Sequence, residues 1–168
     1  CDAPLTTLVT FVATGDSNRM RLGYCIGCGY RGYRDRPAAA WFARFYREEW
    51  DNARVRDAAR EAEQVRPWLS TVQRASVNLA GRMVPDRSRT VCEIGCGMGS
   101  ALKEFETLGF SNVIGVEHSR FRSAVTSAAY GYRVLTGAFE SGEVARVLGS
   151  LAPIGLLYTF HALEHTYD

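Results

Sequence analysis

The chain has 168 residues, of which 46% are hydrophobic and 23% are charged, and 20 basic side chains nearly balance 18 acidic ones. This is the composition of an ordinary globular protein. No apolar run approaches the roughly 20 residues that a membrane span requires, so we expect no membrane partner. The net charge of +2 is spread along the chain and forms no basic stripe for binding phosphates, so nucleic acid is not an expected partner either.

The two ends and the cysteines bear on the context of the chain. It begins with Cys1 rather than methionine and stops at Asp168, just after an apolar segment, which predicts a fragment of a longer protein. The five cysteines are an odd number, and no signal peptide is recognisable. Both features argue against a disulfide framework and favour the cytoplasm.

Residues 1–37 are rich in turn formers and predict a small irregular or β-type module. Within it, Cys25 and Cys28 form a C-x-x-C-G motif. The two-residue gap lets both thiolates reach one tetrahedral zinc ion, and the following glycine relieves the turn. Cys1 is the candidate third ligand, and a fourth would lie upstream. The alternative is that these cysteines are free thiols in a loop.

Residues 38–86 have helical periodicity, and we interpret them as a connector. Aromatic side chains recur there at helical spacing, namely Trp41, Phe42, Phe45, Tyr46 and Trp50. Pro67 interrupts the pattern, and a second helix is predicted over 69–83, before Pro85. An aromatic stripe of this kind favours a buried packing face over a substrate entrance.

Residues 87–168 alternate between short apolar strands and helix-length segments. This alternation is typical of βαβ units, so we expect an α/β fold with a Rossmann-like, doubly wound parallel sheet. The strands are predicted at 90–94, 112–116, 132–135 and 154–159, and the helices at 100–108, 120–129 and 141–151.

Three glycines at alternate positions, Gly95, Gly97 and Gly99, directly follow the first of these strands. Glycine permits positive φ and lets a ligand lie against the backbone, while the next helix presents free N–H groups. A dinucleotide fingerprint needs a further glycine where this chain has Ser100, which disfavours a nicotinamide cofactor. Glu93, just before the loop, indicates a cationic group on the ligand, held directly or through water.

The second strand leads to another acidic residue, Glu117. It stands about 18 positions after Gly99, close to the roughly 20-residue offset at which a carboxylate meets a nucleotide ribose. One carboxylate can accept hydrogen bonds from both ribose hydroxyls. A solvated acid at a strand end is the alternative, but the nearby glycine loop favours the ribose interpretation.

The run Glu-Ile-Gly-Cys-Gly-Met-Gly at 93–99 resembles the first motif of class I S-adenosylmethionine-dependent methyltransferases. The resemblance implies that S-adenosyl-L-methionine lies across the carboxyl ends of the first two strands. Its methionine end is then assigned to Glu93 and the glycine loop, its ribose to Glu117, and its adenine to the segment around Ala138. The cofactor-binding candidates are Glu93, Gly95, Cys96, Gly97, Gly99, Glu117, His118, Ala138, Phe139 and Phe160.

The fourth strand leads into residues 160–165, which are similar to a segment of the same family written L-E-H. Histidine accepts a proton near neutral pH, so His161 or His165 is a candidate general base for an attacking hydroxyl, amine or carbon acid. A second interpretation has His161, Glu164 and His165 share a divalent ion, as the equivalent segment does in some quinone-biosynthesis O-methyltransferases. A third has Glu164 and His165 hold the loop beside the cofactor.

The amino-terminal part resembles the leader of a bacterial methyltransferase group with a zinc-binding module. The resemblance rests on Cys25-x-x-Cys28-Gly29, Tyr33 to Pro37, Phe45-Tyr46 and Glu49-Trp50. Some members of this group are sugar C-methyltransferases acting on nucleotide-linked deoxysugars, which implies structural Zn²⁺ and a sugar or other small-molecule acceptor. The alternatives are a nicotinamide-dependent Rossmann oxidoreductase and a non-catalytic cofactor-binding or zinc-binding interaction module.

Overall fold

The computed structural model divides the chain into two compact units, Cys1–Phe45 and Tyr46–Asp168. The residues that it describes are 3–12, 19–35, 38, 40–41, 44, 57–139, 141–151 and 153–163. Most of the predicted aromatic stripe, including Phe45, Tyr46 and Trp50, lies outside these residues. Within them, no helix is long and apolar enough to cross a membrane.

The first unit is built on a three-stranded antiparallel sheet, so this segment has β structure, as one of its two expectations had it. Its strands, in spatial order, are β1 (Leu5–Val12), β2 (Arg19–Cys25) and β3 (Arg31–Asp35). A short turn that contains Cys28 joins β2 to β3.

The second unit is an α/β structure with four parallel strands in the order β6-β5-β4-β7. The predicted α/β class is confirmed. The elements in chain order are α1 (Ala58–Gln64), α2 (Thr71–Met83), β4 (Thr90–Ile94), α3 (Ser100–Thr107), β5 (Asn112–Glu117), α4 (Arg120–Tyr130), β6 (Arg133–Thr136), α5 (Gly142–Ser150) and β7 (Ile154–Thr159).

The first and last predicted strands, 90–94 and 154–159, are confirmed at both ends. The second strand extends one residue beyond the prediction, because Glu117 still pairs with Thr136 of β6. The third begins one residue later than predicted, because Gly131 ends α4 in the left-handed conformation before the chain extends.

Two helices begin later than predicted, because a serine caps the amino-terminal end of each. Ser70 accepts a hydrogen bond from the Gln73 N–H (3.2 Å), so α2 begins at 71 rather than 69. Ser141 accepts one from the Val144 N–H (3.3 Å) and stands before α5, not in it. Asp57 likewise caps α1, none of whose residues is fully buried.

The sheet separates two apolar clusters because alternate residues of its strands face opposite sides. One cluster, under α2 and α3, is made of Leu69, Val77, Val91, Ala101, Phe105, Phe110 and Tyr158. The other, under α5, is made of Cys92, Ile94, Ile114, Val116 and Val144. Burial on both faces fixes the register of the central strands β4 and β5, and thereby the edge at which they end.

Candidate functional site

The carboxyl ends of the four parallel strands meet at one edge of the sheet, and the candidate residues follow them. The glycine loop of residues 95–99 comes after β4, Glu117 ends β5, Ala138 and Phe139 follow β6, and Phe160 follows β7. Ligands of open α/β sheets bind outside this edge. The structure therefore brings together the described cofactor-binding candidates on neighbouring connections.

The glycine loop takes a backbone conformation that a side chain would disturb. Gly95, Gly97 and Gly99 all have positive φ, at 74°, 53° and 77°. A Cβ on Gly95 would stand 2.5 Å from the Ala162 Cβ, and one on Gly99 would stand 2.7 Å from the Thr126 Cγ2. At these two positions, glycine is required by both conformation and space.

Glu117 connects the glycine loop to the start of α4. Its Oε2 accepts a hydrogen bond from the Gly97 N–H and its Oε1 accepts one from the Ser119 N–H, both at 2.8 Å. The side chain is buried, and each oxygen retains a second lone pair. The carboxylate is thus held rigidly while still able to accept two hydroxyl groups.

Glu93 is the second buried carboxyl group at this edge, and only 3% of its surface is exposed. The Leu102 N–H donates to the carboxyl group, but Oε2 has no hydrogen-bond partner among the described residues. Burial raises the pKa of Glu93 well above its ordinary value, and the Glu117 carboxylate raises it further. A buried acceptor of this kind requires its own proton, or a donor from a ligand or bridging water.

Cys96 belongs to the glycine loop, but its thiol is buried with Leu102 and Tyr132 in a small third cluster. Burial raises the pKa of this thiol, and the carboxylates of Glu93 and Glu117 raise it further. Any contact of Cys96 with a ligand at the sheet edge would therefore come from the backbone. His118, the residue after Glu117, is exposed.

The connection after β6 is joined to the site by its backbone. The Gly137 N–H donates to the Glu117 carbonyl oxygen at 3.0 Å. Ala138 and Phe139 are half-buried, and Phe139 packs against the cluster under α5. An adenine in this place would meet an apolar side chain and backbone rather than a carboxylate.

The connection after β7 has an unusual conformation. His161 has a φ of 56°, in the left-handed region that non-glycine residues rarely adopt. The rings of Phe160 and His161 meet edge to face, with their centroids 4.4 Å apart. Glu164 and His165 lie outside the described residues, so the proposed His-Glu-His cluster is represented here by His161 alone.

In the first unit, Cys25 ends β2 and Cys28 lies in the turn that follows it. Cys25 is buried and Cys28 is exposed. The Gly29 N–H donates to the Cys25 carbonyl oxygen, and the Cys25 N–H donates to the Tyr30 carbonyl oxygen, both at 2.9 Å. Within the described ranges no three metal-ligating residues come together, and Cys1, the predicted third zinc ligand, lies outside them.

Two contacts at the site were absent from the sequence-based predictions. Thr126 of α4 donates its hydroxyl to the Gly97 carbonyl oxygen at 2.8 Å, and Ala162 lies against Gly95. Neither residue has a sequence signal, because a single hydroxyl inside a helix and an alanine in a loop are common everywhere.

The chain matches no protein-family model and no curated protein. Among solved structures it is similar to an O-methyltransferase from Bacillus cereus in complex with SAH, with 16% identity and a TM-score of 0.44 over 66% of this chain and 57% of that one. It is also similar to a putative RNA methyltransferase from Pyrococcus horikoshii, with 19% identity and a TM-score of 0.37 over 48% of this chain and 49% of that one. A third similar structure is a sugar N-methyltransferase from Streptoalloteichus, with 22% identity and a TM-score of 0.29 over 74% of this chain and 38% of that one.

The chain spans about half the length of the first two of these structures. All three proteins are methyltransferases by name.

Proposed function

We propose that the chain carries the cofactor-binding part of an S-adenosylmethionine-dependent methyltransferase that acts on a small-molecule or sugar acceptor. The observation that carries this proposal is the Glu117 carboxylate, buried at the carboxyl edge of the sheet and bonded to the Gly97 and Ser119 N–H groups. The two fixed carboxylate oxygens of Glu117 suit the two hydroxyl groups of a ribose. The glycine loop, whose glycines have positive φ, leaves room for a narrow polar group such as the amino-acid end of the cofactor.

The polar groups at this edge match the parts of the cofactor. Glu93 has an unpartnered buried oxygen for the ammonium end, reached directly or through water, and Glu117 has two free lone pairs for the ribose hydroxyls. The backbone and apolar side chains after β6 suit the adenine. The bound cofactor supplies an activated methyl group on a sulfonium, so the work of the protein is chiefly alignment.

We further propose that the acceptor approaches beside the connection after β7. His161 lies at the same sheet edge as Glu93 and Glu117, and it is exposed. An imidazole there is suited to take a proton from an attacking hydroxyl or amine. Glu164 and His165 follow it in the chain, and a divalent ion shared by the three residues is the alternative, which a chelator-sensitive turnover would reveal.

Replacing Glu117 with glutamine tests the cofactor site. The amide NH₂ would face the N–H of either Gly97 or Ser119, so one hydrogen bond to a charged acceptor is lost and two donors oppose each other. We expect affinity for S-adenosylhomocysteine to fall about 50-fold, measured by titration calorimetry. Glu143→Gln, an exposed change on α5, should leave the affinity unchanged.

The same titrations separate the other candidate functions. Heat on adding NAD, with none for S-adenosylhomocysteine, would favour the nicotinamide oxidoreductase. A folded protein that binds neither ligand would leave a non-catalytic interaction module. If Glu117→Gln binds S-adenosylhomocysteine as tightly as the wild-type protein does, the assignment of the ribose to Glu117 is wrong.

We also propose that Cys25 and Cys28 supply two ligands of a structural zinc ion. The two-residue spacing of Cys25, at the end of β2, and Cys28, in the hydrogen-bonded turn after it, supports this proposal because such a spacing suits two ligands of one zinc ion. We expect the purified protein to contain about one zinc per chain by elemental analysis, and Cys28→Ser to lose most of it. Ile26→Ser, an exposed change in the same turn, should keep it. Zinc-free wild-type protein, or full zinc content in Cys28→Ser, would contradict the proposal.

A further inference from the structure

The backbone N–H groups of the glycine loop are nearly all used within the protein. Those of Gly95 and Cys96 donate to the Val116 carbonyl oxygen, at 2.8 and 3.1 Å, and that of Gly99 donates to the Cys96 carbonyl oxygen at 2.8 Å. The Gly97 N–H is bonded to Glu117. Only the Met98 N–H of this loop has no acceptor among the described residues, and Met98 is half-buried.

The direction of this N–H is set by Thr126. The Gly97 carbonyl and the Met98 N–H belong to the same peptide unit, and no peptide bond among the described residues is cis. In a trans peptide the C=O and N–H point in opposite directions. Because the Thr126 hydroxyl bonds the Gly97 carbonyl oxygen at 2.8 Å, that oxygen faces α4 and the Met98 N–H is turned away from α4.

Thr126 is held firmly enough to act as a brace. It is completely buried in the middle of α4, and its hydroxyl hydrogen bonds to the loop. Its methyl group occupies the space where a Cβ on Gly99 would lie, and the Tyr130 ring, one turn later, stands 3.3 Å from the same point. Both ends of the loop's second half are therefore fixed by one helix.

We propose that Thr126 is a positioning residue that aims the Met98 N–H at a carboxylate oxygen of the ligand's amino-acid end. The proposal rests on the cofactor assignment above. An N–H requires an acceptor, and the ammonium group is only a donor. The ribose is assigned to Glu117 and the adenine to the connection after β6, so the amino-acid end is the part of the ligand assigned to this loop. Its carboxylate is the charged acceptor of the ligand, and an N–H binds a charged acceptor most strongly.

The test compares two ligands that share the adenosine but differ in the amino-acid end. S-adenosylhomocysteine carries the carboxylate, whereas 5′-methylthioadenosine lacks the whole amino-acid group. We expect Thr126→Val, which keeps the shape and removes the hydroxyl, to weaken S-adenosylhomocysteine binding about tenfold. Binding of 5′-methylthioadenosine should change less than about twofold, because no contact with the misdirected N–H is lost.

Two further variants complete the design. Thr126→Ser retains the hydroxyl and should restore most of the affinity for S-adenosylhomocysteine, while Thr107→Val, the same change on the exposed part of α3, should have no effect. If Thr126→Val weakens the binding of both ligands equally, Thr126 has a structural role only. If it weakens the binding of neither, Thr126 does not position the site at all. Failure of the wild-type protein to bind either ligand would instead overturn the cofactor assignment.

Discussion

Replacing Glu93 with glutamine should stabilise the ligand-free protein and, at the same time, weaken cofactor binding. The carboxyl group is buried with one oxygen unpartnered, so its ionised form is costly, and a neutral amide of the same shape avoids that cost. We expect a gain of about 1 kcal/mol in the free energy of unfolding at neutral pH. Affinity for S-adenosylhomocysteine should fall about 30-fold, because the ligand's ammonium loses its counter-charge.

The pH dependence of both quantities follows from the raised pKa of Glu93. The folded protein holds this proton more tightly than the unfolded chain does. Its contribution to stability is therefore fully present below the ordinary carboxyl pKa and is lost as the pH rises through the raised pKa. Cofactor affinity should increase over the same range, since an ammonium group favours the ionised carboxylate.

Thermal unfolding and calorimetry as a function of pH check these expectations. Wild-type protein should release a proton on binding, which is measured by comparing binding heats in buffers of different ionisation enthalpy. Glu93→Gln should abolish this release and flatten both pH profiles. Glu143→Gln is the matched control on an exposed helix position. A Glu93→Gln protein that is less stable than wild type at neutral pH, or that binds as tightly, would contradict the prediction.

Replacing Gly95 with alanine should destabilise the protein by about 3 kcal/mol and remove measurable cofactor binding. Two causes add together here. The residue has a φ of 74°, which strains an L-amino acid, and its Cβ would meet the Ala162 Cβ at 2.5 Å. The chain must move at either the glycine loop or the connection after β7.

A double-mutant cycle with Ala162→Gly separates the two causes. Removing the Ala162 methyl group relieves the contact but leaves the backbone strain, so the double variant should recover about half of the lost stability. Urea denaturation measures each corner of the cycle. Strict additivity of the two single changes would show that Ala162 does not limit the space at Gly95.

The parts of the fold that depend on local sequence pattern could be predicted from the sequence. Strands β4 and β7 are short apolar runs between turn or helix signals. In β4, Val91 joins the cluster under α2 and α3, whereas Cys92 and Ile94 join the cluster under α5. The positions of Glu93 and Glu117 at a common edge also follow from pattern, because parallel strands place their carboxyl ends together.

Other features depend on neighbours that are distant in the chain, and no local pattern reveals them. Glu117 and Thr136 pair with each other, so β5 and β6 each end one residue later than predicted. The brace from Thr126 to Gly97 joins residues 29 positions apart. His161, after the end of β7, has a positive φ, whereas most non-glycine residues have a negative φ, so the sequence predicts a negative φ at this position.

Helix α1 is a seven-residue element with no buried side chain, packed against α4. A helix this short is not stable alone, so its order depends on the helix beneath it. If ligand binding immobilises the glycine loop, α4 loses freedom through Thr126, and α1 loses freedom with it. Amide hydrogen exchange in α1 should then slow when the site is filled, although α1 supplies none of the predicted site residues. Helix α1, which buries no side chain of its own, would thus report occupancy of a site at the sheet edge.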